Sequence, residues 1–299
     1  MEPAKKQLTG QELADQLVEI LTVEAVEDNF FRGIATPNGK GRAFGGQVIG
    51  QAVMAATATV EPERACHSLH AYFMRPGDAT KPVLYQVERD YDGRSFATRR
   101  VIAVQDGRPI LNLAGSFHFP EKGLSHQDKM PDVPGPDELE NEEQLAERYA
   151  DTIPEKFKSF LRWNRPIELR PSVLRPPFST ENKDPVQNVW FRSKGKMGKD
   201  MRLNRAALAY ASDMGLLSVS MLPHGKGFSD EDMQFASLDH AMWLHDDFSM
   251  DEWLLYSTDS PWAGGARGFN RGRIFTQDGR LIANVTQEGL VRQITPKAK

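Results

Sequence analysis

The chain has 299 residues, enough for one large domain or two ordinary ones with a substantial core. A net charge of -4 and a pI near 6.0 give no basic excess for nucleic-acid binding. The single cysteine, Cys66, excludes an intrachain disulfide and suits a reducing compartment. No apolar run reaches membrane-span length, MEPAKKQLTGQ lacks a secretory apolar region, and TPKAK is not a peroxisomal tripeptide, so a soluble cytoplasmic protein is expected.

Thr9 and Glu12 make a capping box ahead of LADQLVEIL, a short helix. Residues 23–35 predict a strand. FGGQVIGQAVMAATATV, 44–60, predicts a helix ended by Pro62. Its Gly45, Gly46 and Gly50 are poor helix formers and point to a turn or a close backbone approach at the helix start. From Cys66 the period changes to two, and CHSLHAYFM, PVLYQVERDY, SFATRRVIAVQ and PILNLAGSFHF are strand candidates. Asp92-Gly93 and Asp106-Gly107 signal hairpins between them. Residues 120–185 hold ten of the 19 prolines, which predicts a long connection with a short helix at about 142–163 inside it. A strand, VQNVWFRSKG, follows. RLNRAALAYASDMGLL, 202–217, then has the three- and four-residue spacing of an amphipathic helix. SLDHAMWLH, EWLLYSTDS, GFNRGRIFTQ and LIANVTQEGLVRQ are the remaining strand candidates.

QDGRPILNL at 105–113 matches QDGRLIANV at 277–285, an offset of 172. HAYFM at 70–74 matches HAMWL at 240–244, an offset of 170. Two matches at nearly one offset predict an internal repeat. Each half is a strand, a long apolar helix and a run of antiparallel strands, which predicts an α+β chain with each helix buried on a curved antiparallel sheet. The boundaries expected are an N-terminal repeat at 1–120, a proline-rich and helical linker at 121–165 and a C-terminal repeat at 166–299.

Three polar residues stand in apolar lines. Ala206, Tyr210, Asp213 and Leu217 are spaced i, i+4, i+7, i+11, which puts the Asp213 carboxylate on or beside the apolar face of its helix. Burying an ionised carboxylate costs several kcal/mol on the order of magnitude of desolvation, so Asp213 needs polar partners or carries chemistry. The bland alternative is a structural acid near a helix C-terminus, tied to an arginine. Gln287 shares a strand face with Leu281, Ala283 and Val285, and its repeat partner is Gly115. Ser237 is the third candidate. An acceptor, an amide and a hydroxyl together suffice to hold one water.

Ser237, Asp239 and His240 look like a compressed catalytic triad, yet a continuous strand puts Ser237 and Asp239 on one face and His240 on the other. His67 and His70 point to opposite faces of a strand, as do His240 and His245, so no metal is expected. There is no GxSxG elbow and no phosphate-binding glycine loop, and no cofactor is expected. Cys66 reads as core rather than nucleophile.

RAFGGQVIGQA (42–52), HSLHAYFMRPGD (67–78), DGRSFATRRV (92–101), ASDMGLL (211–217), SLDHAMWLH (237–245) and ARGFNRGRIFTQDGRLIANVTQEGLVR (266–292) together resemble the acyl-CoA thioesterase II family, the double-hotdog thioesterases. The resemblance spans Leu17 to Gln293. It implies two hotdog modules, hydrolysis of medium- and long-chain fatty acyl-CoA to acid and CoA without a cofactor, and a homo-oligomer, dimer or tetramer. It also implies that Asp213, Ser237 and Gln287 hold the nucleophilic water, with Ser237 where some members have threonine. Two rival readings are a hotdog acyl-CoA hydratase and a non-catalytic acyl-CoA-binding module. The first is expected to use an Asp-His pair, and no histidine lies in the Asp213 helix; retention of all three residues speaks against the second.

Overall fold

Strands with alternating burial recur along the chain, and they join into one sheet. The computed structural model describes residues 8–151, 153, 165–173, 179 and 181–294. In order the elements are α1 (Gly10–Leu21), β1 (Val23–Glu27), β2 (Phe30–Gly33), α2 (Gly45–Thr57), β3 (Ala65–Phe73), β4 (Val83–Asp92), β5 (Phe96–Gln105), β6 (Arg108–His118) and α3 (Glu142–Arg148). They continue with β7 (Ile167–Pro171), β8 (Val186–Ser193), α4 (Met201–Ser212), β9 (Met233–Ser237), β10 (Asp239–Leu244), β11 (Leu254–Gly264), β12 (Arg267–Thr276) and β13 (Leu281–Gln293). The strand order is β1-β2-β4-β5-β6-β3-β10-β13-β12-β11-β8-β7, with β9 also paired to β13.

β3 and β10 join the halves edge to edge, with His240 opposite Ala71 and Ala241 opposite His70. This antiparallel seam pairs each module's inner edge, so neither is left open there. The long helices α2 and α4 pack on each other across the seam. Gly46 and Gly50 make that contact possible: a Cβ on Gly50 would lie 3.0 Å from the Ala206 carbonyl oxygen, and one on Gly46 would collide with that of Tyr210. The close backbone approach expected from these glycines is thus an approach of helix to helix. One core runs through both halves, from Leu17 and Ile49 to Ala207 and Val285. The result is a double hotdog, α+β, with each long helix held by its antiparallel sheet.

Several elements differ from the sequence expectation. Residues 23–35 form two strands, because Asn29 takes φ 63° and turns the chain between β1 and β2. The 202–217 helix ends at Ser212, since Gly215 at φ 78° leaves the helical region and a 3₁₀ segment, Leu216–His224, follows. SLDHAMWLH is two strands broken at Leu238. β7 was not foreseen. Of the helix expected at 142–163, the structure shows α3, which ends at Arg148 with turn residues after it; 152 and 154–163 lie outside the described residues. The match of HAYFM to HAMWL is one residue out of phase. β3 sets Leu69 opposite Gly115, whereas the ladder that places Ala241 opposite Thr286 carries His240 opposite Gln287. With Gly115 and Gln287 equivalent, His240 answers to Leu69, not to His70.

The proline-rich connection lies against the second half. Met130, Val133 and Leu139 cover Trp190, Trp253, Leu255 and Phe275. The Trp190 indole donates to the Pro134 carbonyl at 2.9 Å, and Gln127 bonds both Gly279 O and Leu281 N.

Candidate active site

Asp213 is the C-cap of α4, the first residue past the last helical turn. The same Gly215 that ends the helix frees the Asp213 side chain to face the N-terminus of α2 from the other half. A Cβ on Gly45 would sit 2.7 Å from Asp213 Oδ2, so only glycine leaves room for the carboxylate. Phe44, the N-cap of α2, supplies no capping side chain. The Gly46 N–H faces Asp213 as a donor instead. Helix polarity acts both ways here: the α2 N-terminus favours the anion and the α4 C-terminus opposes it.

Gln287 Nε2 donates to Asp213 Oδ1 at 2.7 Å, and the Ser237 hydroxyl, at the end of β9, faces the same carboxylate. All three sequence candidates therefore meet. The Asp213 side chain is 5% exposed. Burial raises its pKa to about 6, against the lowering effect of Gln287, Gly46 and Ser237. Among the described residues no arginine pairs with it, unlike the structural acid weighed from the sequence.

Sequence reasoning missed His240. It is wholly buried, its Nδ1 is 4.0 Å from Asp213 Oδ1 and 3.2 Å from Gln287 Nε2, and burial lowers its pKa to about 4. The break at Leu238 explains the miss, because Ser237 and His240 belong to different strands and converge on one carboxylate. Asp239 instead accepts the Glu288 N–H at 2.6 Å and stays outside the group. The signal was present: His240, Met242 and Leu244 alternate as the buried face of β10.

Asp213 and Ser237 line a cavity of about 1350 Å³ that runs between the halves; Gln287 and His240 lie behind that wall. Leu17, Ile20, Val48, Leu169, Phe191 and Met221 give it an apolar interior. Lys40, Arg42 and Arg75 stand on its wall near the start of α2. Cys66 is buried elsewhere, and burial pushes its thiol up to about 12, so it is no nucleophile at neutral pH. Among the described residues no three His, Cys, Asp or Glu side chains cluster as metal ligands, and no helix is long and apolar enough to cross a membrane.

A family model described as acyl-CoA thioesterase matches residues 157–290, and one described as the acyl-CoA thioesterase N-terminal domain matches residues 34–118. Acyl-CoA thioesterase 2 of Haemophilus influenzae is 37% identical over 281 residues, covering 94% of this chain and 98% of its own. The chain belongs to the acyl-CoA thioesterase II family. Acyl-coenzyme A thioesterase 8 of Homo sapiens is a further relative, 40% identical over 91% of this thioesterase and 88% of the human chain. The crystal structure of an acyl-CoA thioesterase II from Mycobacterium marinum matches with a TM-score of 0.74 and 39% identity, covering 95% of this chain and 99% of that one. A protein of hot dog fold from Alicyclobacillus acidocaldarius, 19% identical with a TM-score of 0.74 over 93% of this chain and 98% of its own, shares the architecture.

Proposed function

We propose that this thioesterase hydrolyses medium- and long-chain fatty acyl-CoA by direct attack of a water held at Asp213. The observation that carries the reading is a nearly buried carboxylate, raised to about 6, on the wall of a large apolar cavity. A base of that pKa is ionised at neutral pH yet basic enough to take a proton from water as the water attacks. The Ser237 hydroxyl orients the water on the cavity side. Gln287, wholly buried, acts on it through Asp213. The Gly45 N–H, at the start of α2 on the cavity wall, is the donor for the thioester oxygen as negative charge develops, since the Gly46 N–H serves Asp213 and those of Gln47 and Val48 bond the Phe44 carbonyl. Departure of the CoA thiolate completes the exchange: water adds as hydroxyl, the acyl–sulfur bond breaks, and the proton held by Asp213 passes on to the products. No acyl-enzyme is needed.

The acyl chain lies along the apolar interior, and Lys40, Arg42 and Arg75 complement the CoA phosphates. A hydratase reading gains a histidine near Asp213, but His240 is buried away from the cavity and stays neutral, so it has no path to substrate. The protein acts in the cytoplasm as a homo-oligomer, consistent with its one buried cysteine and with the family resemblance; light scattering on purified protein reads the assembly. The deciding experiment is incubation with palmitoyl-CoA while free thiol is followed, with Asp213→Asn alongside. Thiol release by the wild type and its loss in the variant are expected; hydration of an enoyl-CoA without thiol release would overturn the reading.

A further inference from the structure

We propose that His240 is a positioning residue that locks the Gln287 amide with its NH₂ group, rather than its oxygen, against Asp213, and so keeps that carboxylate ionised and aimed. The inference rests on the role of Asp213 given above. It starts from Ser212, whose hydroxyl donates to the Ala209 carbonyl at 3.0 Å. That oxygen is then free only to accept, and His240 Nε2 is its partner at 2.9 Å. Neutral imidazole carries one N–H, so placing it on Nε2 leaves a lone pair on Nδ1. The Gln287 NH₂ group has two hydrogens. One goes to Asp213 Oδ1 at 2.7 Å and the other to His240 Nδ1 at 3.2 Å.

A flipped amide would set its oxygen against the Nδ1 lone pair and the carboxylate, three acceptors with no hydrogen between them. The orientation present leaves Gln287 Oε1 buried with no partner among the described residues. A lone buried acceptor is destabilising, and the site tolerates it to keep the NH₂ group on Asp213. The lock also bears on the acid form. A protonated Asp213 needs an acceptor for its hydrogen, and the flipped Gln287 oxygen would be the nearest; His240 forbids that flip. Among the described residues, Tyr210 and Tyr256 also face Asp213, and burial holds both protonated. The repeat supports the pairing of roles: where the catalytic half has His240 and Gln287, the other half has Leu69 opposite Gly115.

The test uses full-length His240→Asn and Ser212→Ala. Asparagine keeps a hydrogen-bonding group beside Gln287, but its amide accepts either orientation of the glutamine. Removing the Ser212 hydroxyl frees the imidazole to carry its proton on Nδ1 and accept the flip. Neither change touches the cavity. The first readout is the carboxyl carbon-13 titration of Asp213, assigned by its absence in Asp213→Asn. It should move up by about half to one pH unit in His240→Asn, the worth of one hydrogen bond, and less in Ser212→Ala. The acidic limb of kcat should move with it, and KM should not. An unmoved titration in a folded His240→Asn overturns the lock, because a packing role alone predicts that result. If that variant fails to fold, an unmoved titration in Ser212→Ala does the same. A titration that moves while the kcat limb stays put supports the lock and sinks Asp213 as the base; an inactive Asp213→Asn with no titration shift in the others sinks only the lock.

Discussion

Asp213→Asn separates chemistry from stability within one molecule. Asparagine keeps the volume and accepts from Gln287, but it takes no proton from water at neutral pH, so kcat should fall by about 10²- to 10⁴-fold. The wild-type carboxyl titrates at about 6 when folded against an ordinary 3.8. Between those values the folded state binds more protons than the unfolded chain, so wild-type stability falls as pH rises through that window and levels off above it. The gap of about two pH units corresponds to about 3 kcal/mol of cost at pH 8. The amide removes that cost but serves the Gly46 N–H and Ser237 hydroxyl less well, at about 1 kcal/mol for a weakened bond. The net gain expected at pH 8 is therefore about 1–2 kcal/mol, shrinking towards pH 4. Urea unfolding at pH 4, 6 and 8, with thiol release on the same samples, measures both. Full activity in the stable variant, or a stability difference that does not change with pH, would refute this account.

The acidic limb of kcat/KM should fall near pH 6, since only ionised Asp213 accepts the proton; a limb near pH 4 would mean that burial does not raise this group in solution. EDTA and iodoacetamide should leave the rate unchanged, because no ligand cluster is seen among the described residues and Cys66 is buried and protonated; loss of activity restored by zinc would contradict this. Gly45→Ala should lower kcat by about 10²-fold through displacement of the carboxylate, with a loss of melting temperature because the new Cβ also meets the Phe73 ring at 2.8 Å. Gly46→Ala should lower stability by about 1–3 kcal/mol, since its Cβ meets the Tyr210 carbonyl rather than a movable side chain. Residues 1–120 expressed alone should aggregate or dimerise through the bare β3 edge; a soluble monomer that unfolds cooperatively would count against the seam as essential.

The sequence carried the sheet well wherever burial alternates, as in β3 to β6, because period two is a direct record of one wet and one dry face. Asp213 and Gln287 were legible for the complementary reason: each is polar in an apolar line. The helix end was written in Gly215, but the apolar spacing that continues to Leu217 masked it; Leu217 serves the 3₁₀ turn, packed on Gly289. The break at Leu238 has no glycine or proline to announce it. It depends on β13, which pairs β9 through Gly289 opposite Ser237 and β10 through Thr286 opposite Ala241. Read as one continuous strand, the sequence therefore puts His240 on the face away from Ser237. The one-residue slip in the repeat has the same origin: two His-Ala pairs coincide in sequence, and only the ladders with β6 and β13 reveal which positions correspond.

The carboxylate comes from one half and the glycine turn that receives it comes from the other. A chain emerging from the ribosome thus presents α2 and the whole first module long before Asp213, and Gln287 arrives later still, on β13. On the proposed mechanism, no partial product that stops short of Gln287 attacks a thioester, however well its first module has folded. On that mechanism turnover should appear only when the seam between β3 and β10 has closed and β13 has been laid beside it, so during refolding the appearance of free thiol should time the last step of assembly rather than the first.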